Sequence, residues 1–173
     1  KKQQIMAKEK KEVILAIDQA SKCGWALGKD IYGLWDLTTR KDEDMGMKLI
    51  RFKNKLKEVC ASEGVTIIVY ERVAGMHTAS IIHAAKMVAI IETFCTENNI
   101  RYTAFSAQEV KKFATGKGNA NKEKMYEAFV SHTGIELHTI LSPTTKLGSP
   151  STDIVDAWYI ARYMIEKLEK ESV

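Results

Sequence analysis

The chain alternates short, wholly apolar runs with longer segments that are apolar at every third or fourth position. Val13-Ile14-Leu15-Ala16-Ile17 is closed by Asp18, and such a run predicts a strand over residues 12–18 buried on both faces. Gly24-Trp25-Ala26-Leu27 follows a tight Gln19-Ala20-Ser21-Lys22 turn, and another apolar segment covers 31–37. Three short segments this close together predict an antiparallel meander. Met45, Leu49, Phe52, Leu56 and Val59 then fall on one helical face, predicting an amphipathic helix over 42–62. Asp42, Glu43 and Asp44 stand at its start, where the helix dipole favours negative charge, and Gly64 ends it. A second wholly apolar strand, 65–70, is closed by Glu71. Helices are expected over 78–98, 107–113, 121–132 and 152–169, with a short strand over 101–105.

The resulting order, βββαβαβα, predicts an α/β chain with a mixed five-stranded sheet and helices on both faces, because a meander followed by right-handed crossovers builds that arrangement. This is the ribonuclease H-like order of elements, shared by nucleases and by actin-like ATPases, so the fold alone leaves the function open. Residues 12–170 are expected to form one nuclease-sized domain, preceded by a charged, flexible lead-in over 1–11.

Composition narrows the class. With 173 residues, 45% hydrophobic and 28% charged, the chain is ordinary globular material. No uninterrupted apolar run reaches the roughly 18 residues of a membrane span, and none is expected. Cys23, Cys60 and Cys95 are odd in number and scattered, which argues against a zinc site or a disulfide framework and fits reduced thiols in the cytoplasm. The formal net charge is +4, and residues 101–125 hold six Lys or Arg against two Glu, enough to account for the whole excess. That concentration suggests a phosphate-facing patch.

Four carboxylates carry the candidate chemistry. Asp18 and Glu71 each terminate a buried strand, where a carboxylate is costly unless paired, hydrogen-bonded or bound to a cation. If the two strands are neighbours, both acids emerge at one sheet edge. Asp153 and Asp156 open the last helix at i, i+3 and so share one face of its first turn. Four converging acids with no interleaved Lys or Arg repel strongly, and two hard cations relieve this. Such a pair, about 4 Å apart, activates water and stabilises the leaving oxygen in phosphodiester hydrolysis. Each acid also has a plainer explanation: Asp153 as a helix N-terminal acid, Glu71 as a surface residue, Asp18 as a turn former.

The segments Asp18-Gln-Ala-Ser-Lys-Cys-Gly24-Trp-Ala26, Glu71-Arg-Val and Asp153-Ile-Val-Asp156-Ala-Trp-Tyr-Ile-Ala161 together resemble the RuvC family of Holliday junction resolvases. Val110-Lys-Lys-Phe-Ala-Thr-Gly116-Lys-Gly118-Asn-Ala-Asn-Lys122 is similar to that family's basic Gly-Lys-Gly stretch. The resemblance implies a cytoplasmic homodimer that binds four-way or other branched DNA and nicks it. It also implies Mg²⁺ or Mn²⁺, two per site, held by Asp18, Glu71, Asp153 and Asp156. Lys111, Lys112, Lys117, Gly118 and Lys122 become candidate DNA contacts, the glycines letting backbone N–H groups approach phosphates.

The chain departs from that pattern in three places. Its first motif reads Asp18-Gln-Ala-Ser21 instead of Asp-Pro-Gly-Ser. Val73-Ala74-Gly75-Met76-His77 stands where an aromatic wedge is usual, and extra residues occupy 137–149. These departures suggest a bacteriophage-type or other divergent member. Two other functions compete: a non-catalytic branched-DNA binder, which is expected to lose at least one acid, and an actin-like ATPase, which needs two duplicated domains.

Residues 78–98 are apolar nearly all round, more than one sheet-facing stripe needs, so a dimer interface is expected there. Lys48, Arg51 and Lys55 share a helix face expected to be solvated. His77 and His83 are expected in surface or packing roles, and Trp25 and Trp158 in the core. Ser21 has no histidine placed by sequence to activate it.

Overall fold

The computed structural model describes residues 10–75 and 77–172, so residues 1–9 of the expected lead-in, and Met76, lie outside the described residues. Its elements are β1 (Ile14–Asp18), β2 (Lys22–Leu27), β3 (Ile31–Asp36), α1 (Met45–Glu63), β4 (Ile67–Glu71), α2 (Thr78–Glu97), β5 (Arg101–Phe105), α3 (Ala107–Thr115), α4 (Lys122–Thr133), α5 (Leu137–Leu141) and α6 (Ser151–Glu171). The five strands form one sheet in the order β3-β2-β1-β4-β5. β3, β2 and β1 are antiparallel, whereas β4 and β5 run parallel to β1. This is the expected ribonuclease H-like mixed sheet. The structure adds α5, a short helix inside the 137–149 segment that sequence periodicity did not mark.

Alternation along the central strands divides the core in two. Ile14, Ala16, Ile67 and Val69 join the cluster under α3 to α6, with Phe129, Val155, Trp158 and Tyr159. Leu15, Ile17, Ile68 and Tyr70 join the cluster under α1 and α2, with Phe52, Leu56, Met87 and Ile91. A strand buried on both faces has no polar position to spare, which is why its sequence is a continuous apolar run. The helix over 42–62 begins at Met45, because Asp44 is its N-cap and accepts from the Met47 amide. Gly64 closes that helix at φ 64°, a left-handed conformation that glycine adopts without a Cβ penalty.

α6 is the helix that matters most for the site. Nine of its residues from Ser151 to Ala161 are buried, Trp158, Tyr159 and Ile160 among them. Each large apolar side chain buried contributes about 1.5–3 kcal/mol relative to exposure, so the helix start is held firmly on the sheet. Gly24 and Ala26 of β2 lie beneath it. A Cβ at Gly24 would stand 2.1 Å from the Asp153 carbonyl oxygen, so only glycine permits the helix backbone to come this close.

α2 leaves part of its nearly all-round apolar surface outside the core, as the surplus over one sheet-facing stripe predicted. Only one side is buried, through Met87, Ile91, Phe94 and Cys95, while Ile82, Ala85 and Ala89 face outward. Among the described residues it is also the one helix long and apolar enough, by length and composition, to cross a membrane.

Candidate active site

The carboxylates are positioned by strand alternation. β1 and β4 pair in parallel from Ile14 with Ile67 to Ile17 with Tyr70, and the next step in that register sets Asp18 beside Glu71. Asp18 continues the face of Ile14 and Ala16, and Glu71 that of Ile67 and Val69, so both acids lie on the α6 side. Asp153 and Asp156 occupy the first two turns of α6, above the same edge. Gly24 pairs with Asp18 in the β1–β2 ladder and abuts the Asp153 backbone, so one residue joins the strand acid to the helix acids.

The electrostatics record this convergence. The Asp18 carboxyl is held well above the usual carboxylate range, first by burial and then by Asp156, Glu71 and Asp153. Asp156 is pushed up to about 7 by burial, Glu71 and Asp153. Burial also raises Glu71. The expectation of no interleaved cation is corrected: Lys122 lowers Asp18 and Asp156, and Lys111 lowers Glu71 and Asp156. Both lysines line a cleft of about 290 Å³ with Glu71, Asp156, Ala107 and Asn121. The folding of α3 and α4 brings them there, a long-range placement that linear spacing does not reveal.

The other candidate DNA contacts are arranged differently. Lys112 and Lys117 are exposed, and the Lys117 amide already donates to Thr115 Oγ1 at 3.2 Å. At Gly118 a Cβ would stand 3.4 Å from the Gln108 carbonyl oxygen, an ordinary contact, so packing does not demand glycine there. Asp153 accepts a 2.5 Å hydrogen bond from the Ser149 hydroxyl. His138 braces the same helix start, its Nδ1 lying 3.1 Å from Ser151 Oγ and its Nε2 2.9 Å from the Thr145 carbonyl oxygen.

Four carboxylates, partly solvated and mutually repelling, suit a hard cation that takes oxygen ligands and retains waters. Among the described residues, however, no three His, Cys, Asp or Glu side chains already form a metal cage. The donor chemistry fits Mg²⁺, with side-chain adjustment needed for all four to ligate.

Sequence reasoning missed Gln19. It is 9% exposed, donates to the Glu71 carbonyl oxygen at 2.5 Å and accepts from the Glu71 amide at 3.3 Å. Its side-chain amide thus extends the β1–β4 ladder one step past the strands, a role for which proline has no equivalent group. A polar residue next to Asp18 was the only available signal. The solvated reading of Lys48 and Arg51 is also corrected. Lys48 reaches Ser21, and Arg51 pairs with Glu43 with its Nη1 buried and unpartnered. Trp158 is buried as expected, donating to the Lys29 carbonyl oxygen, and Trp25 stacks on Trp35.

No family model and no curated protein matches the sequence. Solved structures do resemble it. T. thermophilus RuvC in complex with Holliday junction substrate has a TM-score of 0.67 at 16% identity, over 92% of this chain and 97% of that one. The yeast mitochondrial Holliday junction resolvase Ydc2 gives 0.61 at 11% identity, over 87% and 76%. Fowlpox virus resolvase with its substrate Holliday junction DNA gives 0.54 at 12% identity, over 90% and 98%. The chain therefore has the ribonuclease H-like fold of RuvC and other Holliday junction resolvases.

Proposed function

We propose that this chain is a divalent-metal-dependent endonuclease that nicks branched DNA, four-way junctions among its substrates. The observation that carries this reading is the meeting of Asp18, Glu71, Asp153 and Asp156 at one sheet edge, close enough that Asp18 and Asp156 are raised by their neighbours. Solved structures of like fold include two complexes with Holliday junction DNA, which supports DNA as the substrate class.

Asp18, Glu71, Asp153 and Asp156 would hold Mg²⁺ or Mn²⁺, two ions at full loading. Bound there, the metal supplies Lewis-acid activation of water and neutralises charge on the phosphate. The chain's own groups orient that centre. Gln19 fixes the Glu71 backbone, Ser149 fixes the Asp153 carboxylate, and the Gly24 contact sets the height of α6. Lys111 and Lys122 border the cleft and attract the phosphodiester, while Lys112, Lys117 and the Gly118 turn extend the basic surface outward. The exposed apolar side of α2 supports a homodimer formed through that helix. Light scattering after size-exclusion is expected to give twice the chain mass, and a strict monomer at micromolar concentration contradicts the dimer.

Incubation with an end-labelled four-way junction, a linear duplex and Mg²⁺ tests the activity. Paired nicks on the junction that disappear with chelator are expected. Tight junction binding with no cleavage in either Mg²⁺ or Mn²⁺ points instead to a non-catalytic binder, a reading favoured by the charge compensation from Lys111 and Lys122.

A further inference from the structure

A second polar cluster stands at the same sheet edge on the opposite face. Lys48 lies in the first turn of α1, where the helix dipole disfavours a cation. Its half-buried Nζ donates to Ser21 Oγ at 2.6 Å and lies 3.1 Å from His83 Nε2 on α2. His83 is held below the usual histidine range by burial and by Lys48 and Lys86, so its neutral ring accepts from Lys48. Ser21 accepts from Lys48 as well, which leaves its own hydroxyl proton free to donate. Lys86, one turn along α2 from His83, is exposed and adds a second positive charge.

Nothing acidic balances this group among the described residues. No carboxylate forms an ion pair with Lys48 or Lys86. Of the acids before α1, Glu43 pairs with Arg40 and Arg51 and Asp44 accepts from the Met47 amide, and Asp42 forms no ion pair with Lys48 or Lys86. An uncompensated, half-buried ammonium flanked by a hydroxyl and a neutral imidazole presents donors and positive charge, the complement of an oxyanion with acceptor oxygens only. The backbone separation of Ser21 from Asp18 is limited by the chain, three residues spanning at most roughly 11 Å.

We propose that Ser21, Lys48 and His83, with Lys86 at the approach, form a subsite for a backbone phosphate of the DNA strand lying across the Asp18 edge. This subsite rests on the nuclease reading and extends it, by adding a phosphate contact outside the basic 111–122 stretch. Lys48 here is a positioning residue, because it grips the strand away from the reacting phosphodiester.

The test is a salt titration of four-way-junction binding in an Asp18→Asn background, comparing Lys48→Met, Lys48→Arg, Ser21→Asp and the control Lys55→Met, whose ammonium is paired with Glu58. Losing one phosphate contact lowers the slope of log K against log[salt] by roughly one. Lys48→Met is expected to show that loss and to weaken binding about tenfold at low salt. Lys48→Arg should retain the parent slope. Ser21→Asp, which leaves Lys48 in place but gives it an internal carboxylate, should lose the slope as Lys48→Met does, and it reads out the subsite if Lys48→Met fails to fold. Unchanged slopes in both Lys48→Met and Ser21→Asp, or an equal loss in Lys55→Met, overturn the subsite and leave the nuclease reading standing. Inorganic phosphate that displaces junction from the parent but not from Lys48→Met, at constant ionic strength, supports phosphate chemistry at this place. Absence of any junction binding by the parent overturns the nuclease reading and the subsite together.

Discussion

Asp18 and Asp36 are the same residue at the same kind of position, each closing a strand of one sheet, yet their surroundings drive them in opposite directions. Asp36 ends the edge strand β3, is exposed, and accepts from Lys22 Nζ at 2.5 Å and from the Thr38 amide. The Lys22 hydrogen bond, with help from Thr38, lowers its pKa to about 2. Asp18 ends the central strand β1, is enclosed by α6, and has three other carboxylates for neighbours. One acid is matched to a cation inside the chain. The other is left with a need for positive charge that Lys122 meets only in part, and that residual need supports the cation site proposed at this edge.

The contrast is broken most severely by Asp18→Asn. Junction cleavage is expected to fall by about a thousandfold or more, equivalent to ~4 kcal/mol of activation free energy, while metal-free thermal stability rises because repulsion is relieved. Asp36→Asn should leave cleavage unchanged. Gly24→Ala comes next: its Cβ would meet the Asp153 carbonyl oxygen, so a loss of about 1–3 kcal/mol in denaturant unfolding is expected, with weaker Mg²⁺ binding as α6 lifts. Retention of full stability by Gly24→Ala contradicts the close approach. Gln19→Leu removes two hydrogen bonds to Glu71 and should cost about 1–2 kcal/mol, with Mg²⁺ affinity reduced in the same variant.

The pH dependence sharpens the same contrast. The pKa of Asp156, about 7 in the folded chain, lies above its ordinary value of 3.8, so the folded state retains a proton that the unfolded state releases. Metal-free stability is therefore greatest below about pH 4 for this group and declines as pH rises toward 7. Asp36 acts with the opposite sign, its contribution present above pH 4 and lost as pH falls toward 2, and solvent exposure makes it small. Urea unfolding at pH 5 and pH 8, with and without Mg²⁺, is expected to show a decline without metal that Mg²⁺ reverses. The smallest effect is that of Lys22→Met, about 0.5 kcal/mol or less, since its ion pair is exposed.

This contrast also explains what could be read before the fold was known. The runs ending in Asp18 and Glu71 announce central strands, because burial on both faces leaves no alternation to confuse the pattern. Asp153 and Asp156 are legible through helix periodicity, with Trp158 and Ile160 marking the packed side. The short β3 was visible as an apolar segment, but its Asp36–Lys22 partnership depends on an antiparallel register that only pairing establishes. Gln19, Lys48 and the closeness of Lys122, a candidate DNA contact, to Asp18 were opaque for a related reason. Each residue acquires this role from a partner that the chain reaches only after folding: Glu71, Ser21 and Asp18 respectively. α5 escaped because five residues are too few to display a helical period.

On the proposed reading the Asp18 edge holds a cation and the Asp36 edge does not. Thermal unfolding of the wild type, Asp18→Asn and Asp36→Asn across a Mn²⁺ titration at pH 7.5 separates the two edges. Binding to the folded state alone stabilises by RT ln(1 + [L]/Kd), about 2.7 kcal/mol at a hundredfold excess over Kd. Saturable stabilisation is expected in the wild type and in Asp36→Asn, and its loss in Asp18→Asn. Equal stabilisation of all three proteins, or none in the wild type, contradicts that reading.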